Sequence, residues 1–336
     1  MLWLKRLALA LLVPVALLAL VEAMLRLLDL GYPTRFLVRH VHRGQTRWVD
    51  NPCFGYRFFP PRQVRLPAAL ALDEAKPAGV FRVVLLGESA ALGDPMPELG
   101  PARSLQTLLA EAWPDRRIEV VNAAMTAINS HVIVEIAEEL VHFQPDALVV
   151  YMGNNEVVGP YGPGTVFAPS ARWTRGRVLL SRLRLAQALR ARRPDEGWAG
   201  LALFAGRELE ATDPRLAGVR AHFAANLERI VAAARRAGVP VVLSTVAVNL
   251  RDCAPFAGSE ARQAYAEGRY AEARDLDRLR FRADRAINDL IRQAAGVAGP
   301  GVTLVDTARD WGVSGHERFV DHVHFTPEGT YELARG

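Results

Sequence analysis

Phe81-Arg82-Val83-Val84-Leu85-Leu86-Gly87-Glu88-Ser89 is an almost uninterrupted apolar run that ends on a glycine, a carboxylate and a serine. A strand buried on both faces has this composition, because a half-exposed strand would alternate apolar and polar residues. Four further strands are predicted at 118–122, 147–152, 240–246 and 302–306, and four of the five runs are uninterrupted apolar or nearly so. Helical spacing fills the intervals, predicting helices at 102–113, 129–143, 215–238 and 276–295; Pro214 opens the third, and Gly238-Val239-Pro240 closes it. Parallel strands require crossovers of this length. The pattern therefore implies an α/β fold, doubly wound and flavodoxin-like, with a five-stranded parallel sheet between two layers of helices.

Gly87-Glu88-Ser89-Ala90-Ala91-Leu92-Gly93 follows the first run directly. Small residues beside a serine at the end of a buried strand let the chain turn sharply and present the hydroxyl above the sheet. An ordinary strand-to-loop turn with a capping serine has the same composition. Near the other end lies Asp321-His322-Val323-His324-Phe325-Thr326-Pro327-Glu328-Gly329. A serine hydroxyl is a poor nucleophile at neutral pH; it needs an imidazole to take its proton and a carboxylate to hold that imidazole's tautomer. Asp321 and His324 can supply both, and Thr326-Pro327-Glu328 marks a helix start just beyond His324. A surface histidine pair, or a metal held by Asp321, His322 and His324, are the competing readings, the metal lacking further His or Cys at ligand spacing. Two loops complete the set. Tyr151-Met152-Gly153-Asn154-Asn155-Glu156 offers asparagine amides on a glycine turn, and the segment from Asn122 to Ser130 offers backbone N–H groups; either suits a tetrahedral oxyanion, and either is also a common turn.

In chain order these four segments resemble the conserved blocks of the SGNH (GDSL-like) serine hydrolases, from residue 81 to the end of the chain. The resemblance implies Ser89 as nucleophile, His324 as base and Asp321 as its orienter, with His322 a bystander. It implies an oxyanion hole made by the backbone N–H of Ser89, the side-chain amide of Asn155 rather than Asn154, and the N–H of Ala127. Ala127 and Ala124 stand where that family carries glycines. Alanine keeps its N–H, but a loop that demands positive φ would be strained by it. Glu88 replaces the family's aspartate and must reach its loop contacts differently. The implied activity is that of a serine esterase or deacylase working through an acyl-enzyme, with no metal and no organic cofactor. Its substrate would be an acylated small molecule, lipid or polysaccharide of the cell envelope. An O-acyltransferase of envelope polysaccharide would use the same residues, and a non-catalytic envelope assembly or binding protein would keep only the scaffold.

The N-terminal 30 residues read as a targeting segment. Lys5 and Arg6 precede an uncharged apolar run at 7–21, broken only by Pro14 and followed by Glu22, Arg26 and Asp29 among further leucines. A secretory signal peptide cut ahead of Met24 is one reading. An uncleaved single-pass anchor is favoured, because apolar character resumes beyond that point and Val21-Glu22-Ala23, rather than a clear Ala-x-Ala, precedes the cut. Both readings export the rest of the chain, and the anchor sets the catalytic domain on the extracytoplasmic, periplasmic side of the cell membrane. Residues 31–79, rich in Pro, Arg and aromatics without sustained periodicity, read as a connector to a domain at 80–336.

That domain carries insertions at about 157–213 and 255–275. The first follows the third strand, which puts it at the carboxyl ends of the sheet, where open α/β folds bind ligands. It contains eight arginines between Arg172 and Arg193, interleaved with Val178, Leu179, Leu180, Leu183, Leu185 and Leu189 at amphipathic spacing. A solvated helix face is the plain reading, and contact with a membrane surface the alternative. The second insertion reads as a helical hairpin. The formal net charge of +5 favours anionic partners in general, and no nucleic-acid module or aromatic-basic interleaving is present. Cys53 and Cys253 could form one disulfide in an oxidising compartment, and their spacing excludes a Cys-x-x-Cys motif.

Overall fold

The computed structural model describes residues 2–167, 173–190, 197 and 200–336. Its strands form two sheets. In the first, β1 (Leu37–His42), β2 (Gln45–Asp50) and β3 (Ala71–Asp73) run antiparallel in the order β1-β2-β3. The second holds β4 (Val80–Gly87), β5 (Arg117–Asn122), β6 (Ala147–Tyr151), β7 (Val241–Ser244) and β8 (Val302–Val305). Its order is β5-β4-β6-β7-β8, and every neighbouring pair is parallel. These are the five strands expected from the apolar runs.

Register fixes which side chains share a face. Leu85, Val149, Val242 and Thr303 stand side by side across four strands. They line a hollow with Leu105 and Leu333, which belong to the paired helices Pro101–Ala112 and Pro327–Arg335. Alternate residues such as Val84, Leu148 and Leu243 face the other way and are fully buried. Helices Ser130–Leu140, Arg215–Arg236 and Arg285–Ala298 pack on one another to form that layer. After β4 the chain moves outward to β5, then crosses back to the opposite neighbour β6. The reversal opens a crevice at the carboxyl ends of these strands, where Ser89 emerges.

Two expectations need correction here. The stretch expected to lack periodicity carries the β1-β2-β3 sheet, and its Phe36, Leu37, Phe54, Phe58, Phe59 and Leu72 join the buried core. Its hairpin turns on Arg43 (φ 49°) and Gly44 (φ 77°), a two-residue loop of the left-handed kind without the usual Asn-Gly signature. The helix expected from 276 begins at Arg285, because the Asp284 carboxylate accepts the N–H of Ile287 and caps it there. Ahead of it, Asp277 accepts from the N–H groups of Phe256, Ala257 and Leu279, which holds the chain in a loop. The expected helical hairpin forms from Ser259–Ala266 and Tyr270–Leu276.

The basic stretch forms two helices, Thr174–Leu180 and Arg184–Arg190, broken where the Ser181 hydroxyl donates to the Val178 carbonyl. Arg172, Arg192 and Arg193 lie outside the described residues. Arg57 donates to Glu135 at 2.8 Å, to Ser181 and to the Thr34 and Val178 carbonyls, tying the N-terminal segment, the helix Ser130–Leu140 and the insertion together. Both side chains of that ion pair are buried, and losing either partner typically costs about 3–5 kcal/mol. Cys53 and Cys253 are both free thiols. The first helix, Leu2–Leu27, contains an apolar stretch, Leu9–Leu27, of 19 residues with mean hydropathy 2.2, long enough to cross a membrane.

Candidate active site

The turn that carries Ser89 is shaped by its glycines. A side chain at Gly87 would meet the Tyr151 carbonyl at 2.3 Å and Ala91 Cβ at 2.4 Å, so only glycine lets β4 end this close to β6 and the following turn. Gly93 ends the short helix Ser89–Leu92 in the left-handed region, at φ 100°. Between them the Ser89 side chain rises from the carboxyl end of β4, with the residue only 8% exposed.

The loop carrying Asp321 and His324 arrives at the same edge from the far end of the chain. Asn249, beyond β7 and fully buried, donates its side-chain amide to the Asp321 carbonyl, and its N–H to the His322 carbonyl. Phe325 is wedged among Tyr151, Trp311 and Phe319. His324 sits between these two anchors. Its Nε2 lies 2.8 Å from the Ser89 hydroxyl oxygen, and its Nδ1 lies 2.6 Å from Asp321 Oδ2. Asp321 Oδ1 accepts the N–H groups of Val323 and His324 at 2.9 and 2.8 Å, which fixes the carboxylate plane. Burial pushes the Asp321 carboxyl up, but the His324 hydrogen bond, the His322 and His324 rings and the His324 N–H together hold it well below the usual carboxylate range. An Asp321 that stays ionised requires the proton on Nδ1, leaving Nε2 as the acceptor for the serine proton. His322 stands 3.5 Å from Asp321 on the other side, and burial lowers its pKa to about 4, so it stays neutral beside the site.

The two loops expected to supply oxyanion donors flank Ser89. Ala127 has φ 59°, so the position occupied by glycine in the resembling family does require the left-handed region, and alanine is held there. Thr126 beside it donates to Asp94 at 2.6 Å, tying this loop to the nucleophile turn. Among the described residues, neither the N–H of Ser89 nor that of Ala127 donates to the protein. In the third loop the two asparagines differ. Asn154 is buried and its side-chain carbonyl accepts the Ala283 N–H at 2.9 Å, whereas the Asn155 side chain bonds to none of the described residues.

Glu88 finds its contacts in this third loop. Its carboxyl accepts the N–H groups of Asn154 and Asn155 at 2.8 and 3.1 Å, pinning the asparagine turn to the nucleophile turn. Burial first, then the carboxylate of Glu156, pushes Glu88 up to about 8, against the backbone N–H groups of Asn155, Asn154 and Gly153. Glu156 is raised to about 7 by burial, against the N–H and hydroxyl of Ser130, which donate to it at 2.8 Å each. The pair ties the nucleophile turn, the asparagine loop and the helix Ser130–Leu140 into one block. Sequence reasoning quoted Glu156 without giving it a part and missed Asn249. A polar residue at the carboxyl end of a buried apolar run was the available signal for both.

No family model matches the chain, and no curated protein does. Solved structures that resemble it include an acetyl xylan esterase, 13% identical, covering 76% of this chain and 96% of that one with a TM-score of 0.44. A lipase/acylhydrolase from Enterococcus faecalis is 15% identical, covering 76% and 92%, TM-score 0.42. An acetylxylan esterase from Geobacillus stearothermophilus is 14% identical, covering 76% and 91%, TM-score 0.42. All are likenesses at low identity; what Ser89, His324 and Asp321 can do follows from their own geometry.

Proposed function

We propose that the chain is a serine esterase or deacylase acting through an acyl-enzyme, with Ser89 as nucleophile, His324 as general base and acid, and Asp321 as the carboxylate that orients it. One observation carries the reading: His324 Nε2 lies 2.8 Å from the Ser89 hydroxyl while Nδ1 is held by Asp321 at 2.6 Å. That is the separation at which an imidazole can take a hydroxyl proton as the oxygen attacks.

Attack of Ser89 Oγ on the acyl carbon moves the serine proton to His324 and charge to the carbonyl oxygen. The N–H groups of Ser89 and Ala127 and the side-chain amide of Asn155 are the donors for that oxyanion. Collapse breaks the bond to the alcohol, which leaves with the proton from His324. Water then enters, gives a proton to His324 and attacks the acyl-enzyme; release of the acid returns the proton to Ser89. These steps ask for no metal and no organic cofactor.

The apolar stretch Leu9–Leu27 and the short tail ahead of it support an uncleaved anchor with the domain on the extracytoplasmic face. The substrate class that fits this location is an acylated lipid or polysaccharide of the envelope. The purified full-length chain, assayed with a short-chain aryl ester, is expected to turn it over, and Ser89→Ala to abolish turnover with the fold intact. Activity unchanged by that substitution would refute the assignment.

A further inference from the structure

We infer that the paired helices Thr174–Leu180 and Arg184–Arg190 form a platform that lies in the headgroup layer of an anionic bilayer, beside the first helix, and sets the height and tilt of the Ser89 site above the lipid. The inference rests on the reading of that first helix as a retained membrane anchor.

The two elements are joined by specific bonds. The Glu22 carboxylate accepts the N–H groups of Arg184 and Leu185, both at 3.0 Å, so a side chain of the first helix closes the free end of the second platform helix. Tyr32 exchanges two bonds with Gln187, donating its N–H and accepting at its carbonyl. Cleavage ahead of Met24 would remove Glu22 and leave those backbone donors unpaired, which argues that the helix is kept.

The attachment also fixes depth. Glu22 precedes Leu27, the last residue of the apolar stretch, by five positions, or about 7.5 Å at 1.5 Å per residue. Interfacial helices sit about 5–10 Å into the boundary between headgroups and acyl chains. A helix bonded at the level of Glu22 is therefore held at that boundary.

The surface chemistry matches. Trp173, Leu179, Leu180 and Leu189 are 76%, 50%, 54% and 61% exposed, four large apolar side chains left to solvent within 17 residues. Leu180 and Leu189, from the two helices, share one hollow with Tyr32 and Arg177. From Trp173 to Arg190 the chain has five arginines and neither Asp nor Glu. Arg182 and Arg184 pair with Glu135 and Asp29 from elsewhere in the chain; a stretch that itself carries cations and apolar side chains but no acids suits an anionic lipid surface. The platform is also stiffly joined to the catalytic domain: Arg182 and Arg57 both donate to Glu135, on the helix whose first residue, Ser130, holds Glu156.

The test uses the full chain, with Cys53→Ser and Cys253→Ser, in nanodiscs of phosphatidylcholine and phosphatidylglycerol doped with a phospholipid carrying a nitroxide on its acyl chain. An environment-sensitive fluorophore is placed by Leu189→Cys, by Leu179→Cys as a second reporter, by Leu17→Cys within the first helix, and by Val297→Cys on the exposed face of helix Arg285–Ala298. Loss of fluorescence at Leu17, Leu179 and Leu189, with the Val297 label unquenched, is the expected result. Quenching at Leu17 with both platform labels as bright as Val297 would overturn the platform and leave the anchor standing. An unquenched label at Leu17 would overturn the anchor, and the platform with it.

Discussion

The Ser89 hydroxyl and the His324 imidazole lie 2.8 Å apart although 235 positions separate them in the chain. β4 brings the serine to the carboxyl edge of the sheet, and the loop held by Asn249 and Phe325 brings the histidine to the same edge. If the two act as a unit, removing either should cost nearly the whole chemical advantage. His324→Ala and Ser89→Ala are each expected to lower kcat for an aryl ester by about 10⁴ or more, and the double variant to be no slower than either single one. Additive losses in steady-state kinetics would mean that they do not work together.

If Asn155 is the oxyanion donor, the two neighbouring asparagines should separate binding of the oxyanion from maintenance of the loop. Asn155→Ala should reduce kcat by about 10²–10³ with KM nearly unchanged, the signature of a donor used only in the transition state. Asn154→Ala removes the acceptor of the Ala283 N–H, and a buried donor left unpaired costs about 1–3 kcal/mol. Its effect should appear in denaturant unfolding. If the two phenotypes were exchanged, the assignment of Asn155 would be wrong.

Ala127 sits at φ 59°, where a β-carbon costs roughly 1–2 kcal/mol relative to glycine. Glycine there also increases the entropy of the unfolded chain by about 0.4–1 kcal/mol. Ala127→Gly is therefore expected to be neutral or to stabilise by up to about 1.6 kcal/mol, with activity retained, because both residues present the same N–H. A clear loss of stability in chemical denaturation would show that the methyl group packs usefully and that the loop carries no strain.

Much of the arrangement was legible in the sequence, and the failures have physical causes. The central strands β4, β6 and β7 are largely buried on both faces, so their apolar runs stand out from the helical spacing around them, whereas the edge strands β5 and β8 are partly exposed and were legible from their β-branched residues. Gly87 and Gly93 announce the sharp turn that carries Ser89, for steric reasons that glycine alone satisfies. β1 and β2 were hidden because their turn uses Arg43 and Gly44 and most of their side chains are partly exposed, leaving little alternation to see. The start at Arg285 was hidden for a different reason. Residues 276–284 have helix-like spacing, but Asp277 and Asp284 bind backbone N–H groups and decide the local conformation. Contacts such as Glu22 with Arg184, Arg57 with Glu135 and Asn249 with the Asp321 loop depend on tertiary placement, which no local pattern encodes.

Glu88 and Glu156 make stability depend on pH. Both carboxyls are held above their ordinary value of 4.5, at about 8 and about 7. The folded state therefore binds more protons than the unfolded one between pH 4.5 and about 8, and stability falls as pH rises through that window. The melting temperature of the native chain should drop between pH 5 and pH 9, and Glu88→Gln, which cannot ionise, should flatten that slope. Equal slopes in thermal scans would show that Glu88 carries its charge throughout.

Reaction with a fluorophosphonate probe tests the central claim most directly, because it asks whether Ser89 is activated without assuming any substrate. The full-length chain is expected to acquire one covalent adduct, mapped by mass spectrometry to Ser89 and absent from both Ser89→Ala and His324→Ala. An unlabelled native chain, or an adduct that persists in His324→Ala, would contradict the reading of Ser89, His324 and Asp321 as a working nucleophile, base and orienter.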